Sequence, residues 1–221
     1  MNTVENRFIA TIAIIYAVGI AGFMIPSLNP LFIWLTPINI TGAFIIAWIF
    51  HKKWEFNHVL MIALLGVLGF FIEYAGVATK AIFGAYHYGK TLGSGLPVSS
   101  NGKSAGYIPY LIGLNWAAMI FYSSSILAAR IKNKWGTAFL GASIMTIYDY
   151  FLEPVAVRYD FWHWESKHIP VQNYIAWFAI SFFMHLVLNM AAKPIKNRMA
   201  TALFFIQFAF FLILHIYVRM T

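Results

Sequence analysis

Apolar residues recur along this chain in runs of membrane-crossing length, and that recurrence leaves few folds open. The runs centre on residues 8–25, 36–50, 59–79, 108–129, 137–153, 173–191 and 200–218. A helical crossing needs about 20 residues, with roughly 17–25 the usual range. The chain is 61% hydrophobic and only 10% charged, whereas soluble domains carry about 25% charged residues. The expectation is an all-α fold, a polytopic membrane helix bundle of about seven transmembrane helices in a single integral membrane domain, 1–221. The second run is short and begins at Thr36-Pro37, so it is expected to be tilted or partly re-entrant. The first run is long for a signal sequence and lacks a polar cleavage region, so a retained helix is expected.

A net charge of +8 raises the question of nucleic acid, but the basic residues sit in short clusters between the apolar runs. His51-Lys52-Lys53, Arg130-Ile-Lys132-Asn-Lys134 and Lys193-Pro-Ile-Lys196-Asn-Arg198 fall on one side of a seven-helix arrangement, joined by Arg7. That is a topology signal, and it predicts an N-terminus inside and a C-terminus outside. Cysteine is absent, which excludes disulfides, thiolate metal sites and cysteine nucleophiles.

Against this background the acids stand out. Only seven acidic residues occur, and three of them, Glu73, Asp149 and Glu153, lie in apolar runs. A charged side chain at mid-membrane costs about 2.5–3.5 kcal/mol on insertion scales. Asp149 and Glu153 stand four apart, on one face of a helix. Under the predicted topology Glu73, Asp149, Glu153, Asn115 and Asn173, from four helices, gather in the outer half of the membrane. Gly69 and Gly76 flank Glu73 at helical spacing, a pattern of close helix packing. Asn173, Trp177, Ser181, His185 and Asn189 form a polar seam at successive i+4 steps that must face protein, with Ser181, His185 and Asn189 expected to make interhelical hydrogen bonds. The outer loops are aromatic, with TKAIFGAYHY at 79–88 and DFWHWE at 160–165, half of which membrane-interface preference explains.

Other motifs fail on inspection. Gly102-Lys103-Ser104 resembles the end of a phosphate loop, but Pro97 stands where its first glycine belongs. His163 and His168 share a loop without a third ligand at metal spacing, so no metal is expected. No serine elbow is present. Two readings of the acids from other classes stay open. Membrane prenyltransferases hold Mg²⁺ and pyrophosphate on paired acids, although a second acidic motif is missing here. Proton-coupled transporters use buried acids as relays, although no internal repeat is found.

The stretch Glu73-Tyr-Ala-Gly76-Val-Ala-Thr79 with Phe83-Gly84-Ala-Tyr86-His-Tyr88 resembles the membrane carotenoid hydratases. So does Tyr148-Asp149-Tyr-Phe-Leu-Glu153-Pro154-Val-Ala156, followed by Trp162-His-Trp164 and Ile169-Pro170-Val-Gln-Asn173-Tyr-Ile-Ala-Trp177-Phe178. The resemblance covers roughly residues 66–180. It departs at Lys80, where glycine is expected, in a longer Lys90–Gly106 loop, and at Gly106-Tyr-Ile-Pro109 in place of Gly-Val-Pro.

The resemblance implies addition of water to the 1,2 double bond of an acyclic carotenoid end group, with no cofactor. A carboxylic acid protonates C2, and water captures the tertiary cation at C1. Asp149 is then the expected proton donor, with Glu73 and Glu153 as its partners. Tyr86, Tyr88, Asn115, Trp116, Tyr148, Trp162, Trp164, Asn173 and Trp177 are the expected substrate-binding residues. Related cyclases begin with the same protonation, so end-group cyclisation stays open beside hydration. The expected partners are an acyclic carotenoid, water, the lipid bilayer and other carotenoid-pathway enzymes, with no nucleic acid. The expected location is the cell (plasma) membrane, as a multi-pass protein.

Overall fold

The computed structural model describes residues 3–100, 102–128 and 131–221. Among these, the helices are α1 (Thr3–Met24), α2 (Asn29–Ile49), α3 (Phe56–Thr79), α4 (Leu111–Leu127), α5 (Lys134–Arg158), α6 (Val171–Ala191) and α7 (Arg198–Met220). Together they form an all-α membrane helix bundle. Five of them, α1, α2, α3, α6 and α7, are each long and apolar enough to cross a membrane. Their outward faces carry Ile14, Trp34, Val67, Phe71, Ile175 and Phe183, all exposed. An outside this apolar is the surface of a protein solvated by lipid.

The remaining two helices differ for opposite reasons. α4 has 17 residues, about 25 Å of helix at 1.5 Å per residue, and every residue from Trp116 to Leu127 is buried. It is the bundle's central helix, packed against α2, α3, α5, α6 and α7. α5 has 25 residues but carries Asp149, Glu153 and two terminal cations, which breaks its apolarity. It packs most extensively on α6 and then on α7.

Several boundaries depart from the sequence expectation. α2 begins at Asn29 with a proline in its first turn and runs through Pro37, giving 21 residues rather than a short segment. Pro30 suits a first turn because its missing N–H has no helical partner there anyway. α5 likewise passes Pro154 and ends at Arg158.

At one end of the bundle the basic loops cluster. Asn57 donates to the Ala191 carbonyl at 3.1 Å, Lys193 pairs with Glu55 at 2.8 Å, and Arg198 donates to Asn6 at 2.6 Å. Arg130, counted in the central basic loop, lies outside the described residues.

At the other end the two long outer loops form strands. β1 (Tyr86–Tyr88) pairs antiparallel with β4 (Trp162–Trp164), and β2 (Gly95–Ser100) with β3 (Lys103–Pro109). β1 and β4 are three residues each, too short for a period-2 pattern to register in a sequence. α3 ends where Lys80 adopts φ 59°, the left-handed cap that glycine takes at least strain. This is the position where the family resemblance calls for glycine. The Lys80 ammonium meets Glu165 at 2.5 Å, tying the end of α3 to the residue after β4.

Candidate functional site

Side chains on alternate positions of a strand share a face. Tyr86 and Tyr88 therefore point together from β1, and Trp162 and Trp164 together from β4. The register sets Tyr86 opposite Trp164 and Tyr88 opposite Trp162, with ring centroids 5.2 and 6.2 Å apart. This four-ring face closes over the acids.

Both phenols donate to Glu73: Tyr86 to Oε2, and Tyr88 to the same oxygen at 2.9 Å. Burial, and then the charge of Glu73, push both phenols well above their ordinary 10.0, so they remain donors. Trp116 of α4 donates its indole N–H to Glu73 Oε1 at 3.0 Å. Glu153 is held the same way from the other strand. Trp162 and Trp164 donate to its Oε2 at 3.0 and 2.8 Å, and Asn173 of α6 donates to its Oε1 at 3.0 Å. The Asn173 amide bridges the two acids of α5, reaching Asp149 Oδ2 at 2.8 Å.

The three acids are not equivalent. All are buried, Asp149 completely, and Glu73 and Glu153 each accept three hydrogen bonds. Asp149 accepts one, and its Oδ1 is buried with no partner among the described residues. An ionised carboxylate only accepts, whereas a protonated one also carries a donor. Indole N–H groups cannot accept, so Trp162 and Trp164 leave Glu153 in the acceptor role. The carboxyl oxygen of the α5 pair that accepts from no described donor is Asp149 Oδ1.

Glycine makes the Glu73 half possible. A Cβ on Gly69 would stand 2.4 Å from Cγ of Trp116, and one on Gly76 would stand 2.8 Å from the Phe83 ring. Both glycines thus admit a close neighbour, Gly69 the indole that reaches Glu73 and Gly76 the Phe83 ring. Gly69→Ala should displace Trp116 and lower stability by about 1–3 kcal/mol, the usual effect of overpacking. Thermal unfolding of the detergent-solubilised protein measures it.

The remaining expected site residues divide. Trp177 stacks on Trp116 with centroids 4.4 Å apart and planes 18° apart, extending the Glu73 group toward α6. Tyr148 is buried against Phe204, Phe208 and Phe211 of α7 and borders a cavity, not the acids' hydrogen-bond network. Asn115, expected to gather with the acids, also faces that cavity, and its neighbour Trp116 makes the acid contact instead.

In the polar seam of α6, His185 meets Ser123 of α4 at 2.9 Å, and Asn189 donates to the Lys134 carbonyl of α5 at 3.1 Å. Both are interhelical bonds of the kind expected. The Ser181 hydroxyl, expected to bond between helices, has no partner among the described residues, while its carbonyl accepts from His185 Nδ1 at 2.7 Å within α6. Among the described residues no group of three or more His, Asp or Glu side chains is arranged to hold a metal ion.

A second feature was not anticipated. A cavity of about 150 Å³ lies among α1, α2, α4, α5, α7 and the outer loops. On its wall Gln207 of α7 donates to the Tyr16 hydroxyl of α1 at 2.8 Å, and Tyr16 donates to Asn39 of α2 at 2.7 Å. The available signal was Asn39 and Gln207, isolated amides within apolar runs, which lipid-facing positions do not tolerate.

No curated protein and no solved structure shows a significant match to the chain. A family does, and it matches residues 34–221, from within α2 onward, so that the two helices carrying Glu73, Asp149 and Glu153 and the four strands described fall inside it. With its buried acids held between membrane helices and an aromatic cap, the chain belongs to the family described as carotenoid biosynthesis protein.

Proposed function

We propose that the protein is a carotenoid 1,2-hydratase, acting on an acyclic end group without a cofactor. Membership of the family supports a biosynthetic role toward carotenoids. The observation that carries the finer reading is the inequality of the α5 pair: Asp149 Oδ1 has no partner among the described residues, while Glu153 beside it accepts three hydrogen bonds.

In this reading Asp149 Oδ1 carries the proton. The π pair of the double bond takes it at C2, leaving a tertiary cation at C1 and a carboxylate on Asp149. A water oxygen then bonds to C1, and its surplus proton returns to a carboxylate of the α5 pair, so the acid is regenerated and no electrons are transferred. Asn173, donating to both acids, holds the pair in register. Glu73, with the phenols on it, adds negative charge near the cation. Tyr148, Trp162, Trp164 and Trp177 offer ring faces, and a cation over such a face gains about 0.5–2 kcal/mol when desolvated. The chain would sit in the cell membrane with its basic loops inside and the aromatic cap outside.

Expression in a lycopene-accumulating host tests the reading by pigment mass. The expected product carries one added water per reacted end. An isomer of unchanged mass would mean cyclisation instead, and unaltered pigment would remove the enzymatic reading.

A further inference from the structure

The acids lie behind a wall, and the other side of that wall is the cavity. Tyr148 and Leu152 of α5 line it, each one position before an acid, and so does Trp162, whose indole N–H holds Glu153. The cavity runs from Leu92, Phe161 and Trp162 in the outer loops to Tyr16 and Tyr122 midway along their helices. Its lining is mainly hydrocarbon and aromatic. Asn115 is a polar side chain in that lining, and the buried Tyr122 hydroxyl has no hydrogen-bond partner among the described residues.

Two further facts bear on what fits. Ile15 lines the cavity while remaining 51% exposed on the outside of the bundle, so the space reaches the lipid-facing surface. The volume is also small: a dry cavity of roughly 150 Å³ holds one benzene molecule. It therefore takes the end of a long isoprenoid and not its whole length.

We propose that this cavity is the binding site for the terminal isoprenoid unit of the substrate, entered from the bilayer beside Ile15, an inference that rests on the carotenoid reading above. The polyene beyond the first unit stays outside, against the lipid-facing surface. The end group lies one layer of side chains from Asp149 and meets it when Leu152 or Tyr148 rotates aside. The Gln207–Tyr16–Asn39 relay fixes where α1, α2 and α7 stand around the end group, and so sets its permitted width. α1, which contributes Ile15, Tyr16, Gly19 and Phe23 to the lining, precedes the family-matched stretch. That places part of the selectivity for the end group in sequence outside residues 34–221.

Purified full-length protein in detergent, with all-trans lycopene as the probe, tests this by co-elution of pigment with protein. Ala118→Phe fills the cavity from α4, and Ile15→Trp blocks its mouth from a lipid-exposed position that folding tolerates. Each should weaken lycopene binding at least tenfold with an unchanged melting profile, while Asp149→Asn binds as the parent does. Equal binding by the parent and both cavity variants, or no binding by the parent, overturns the proposal. Cavity-dependent binding without any hydroxylated product in cells supports the site and refutes hydration, so the two failures are distinct.

Discussion

Asp149→Asn is expected to reduce hydration by about 10²–10⁴-fold, the usual contribution of a positioned general acid. The substitution is nearly isosteric, and its amide oxygen can still accept from Asn173 at the Oδ2 position. The group lost is the carboxyl that can hold a transferable proton on Oδ1, which has no partner among the described residues. Folding should be little affected, so the variant should insert, purify and melt like the parent. Pigment mass at matched expression is the measurement. Near-normal hydroxylated product from the variant would remove Asp149 as the donor and, with it, the mechanism.

Glu153→Leu should have the largest effect on stability. Three N–H donors, from Trp162, Trp164 and Asn173, converge on this carboxylate. Leucine fills similar space but accepts nothing. A buried donor left without an acceptor costs about 1–3 kcal/mol, and here three are orphaned together, two of them on the strand that closes the site. Loss of several kcal/mol and opening of the β4 side are expected. Glu153→Gln keeps one carbonyl oxygen and should fall between the parent and the leucine variant. Thermal unfolding in detergent ranks the three, and equal melting of all three would show that the cap does not depend on this acid.

Much of this site is legible in the sequence because membranes punish polar residues. Glu73, Asp149 and Glu153 were conspicuous in apolar runs for that reason, and the alternation of helices was enough to bring them to one end. The bundle itself was equally plain in the length of the runs. The aromatic donors were visible as residues but not as a constellation, since three-residue strands leave no periodic trace. The pairing that sets Tyr86 against Trp164 is a long-range event that local pattern does not encode. Asn115 and Trp116 show the limit of depth arguments: adjacent residues share a level in the membrane but face different neighbours, and rotation about the helix decides which one meets Glu73. Tyr16 was hidden for another reason. An isolated tyrosine in a long apolar run reads as hydrophobic until its hydroxyl is seen between two amides.

The pairing of β1 with β4 also has a kinetic consequence. β1 follows α3, but its partner strand arrives only after α4 and α5 have been made. Contacts so distant along the chain form slowly and late. During synthesis Glu73 therefore enters the bilayer before β4 exists to complete the cap over it. The acid-bearing end of the molecule is therefore completed only once β4 and the start of α6 have been made, and a chain interrupted before β4 would be a membrane-inserted bundle with an unfinished centre.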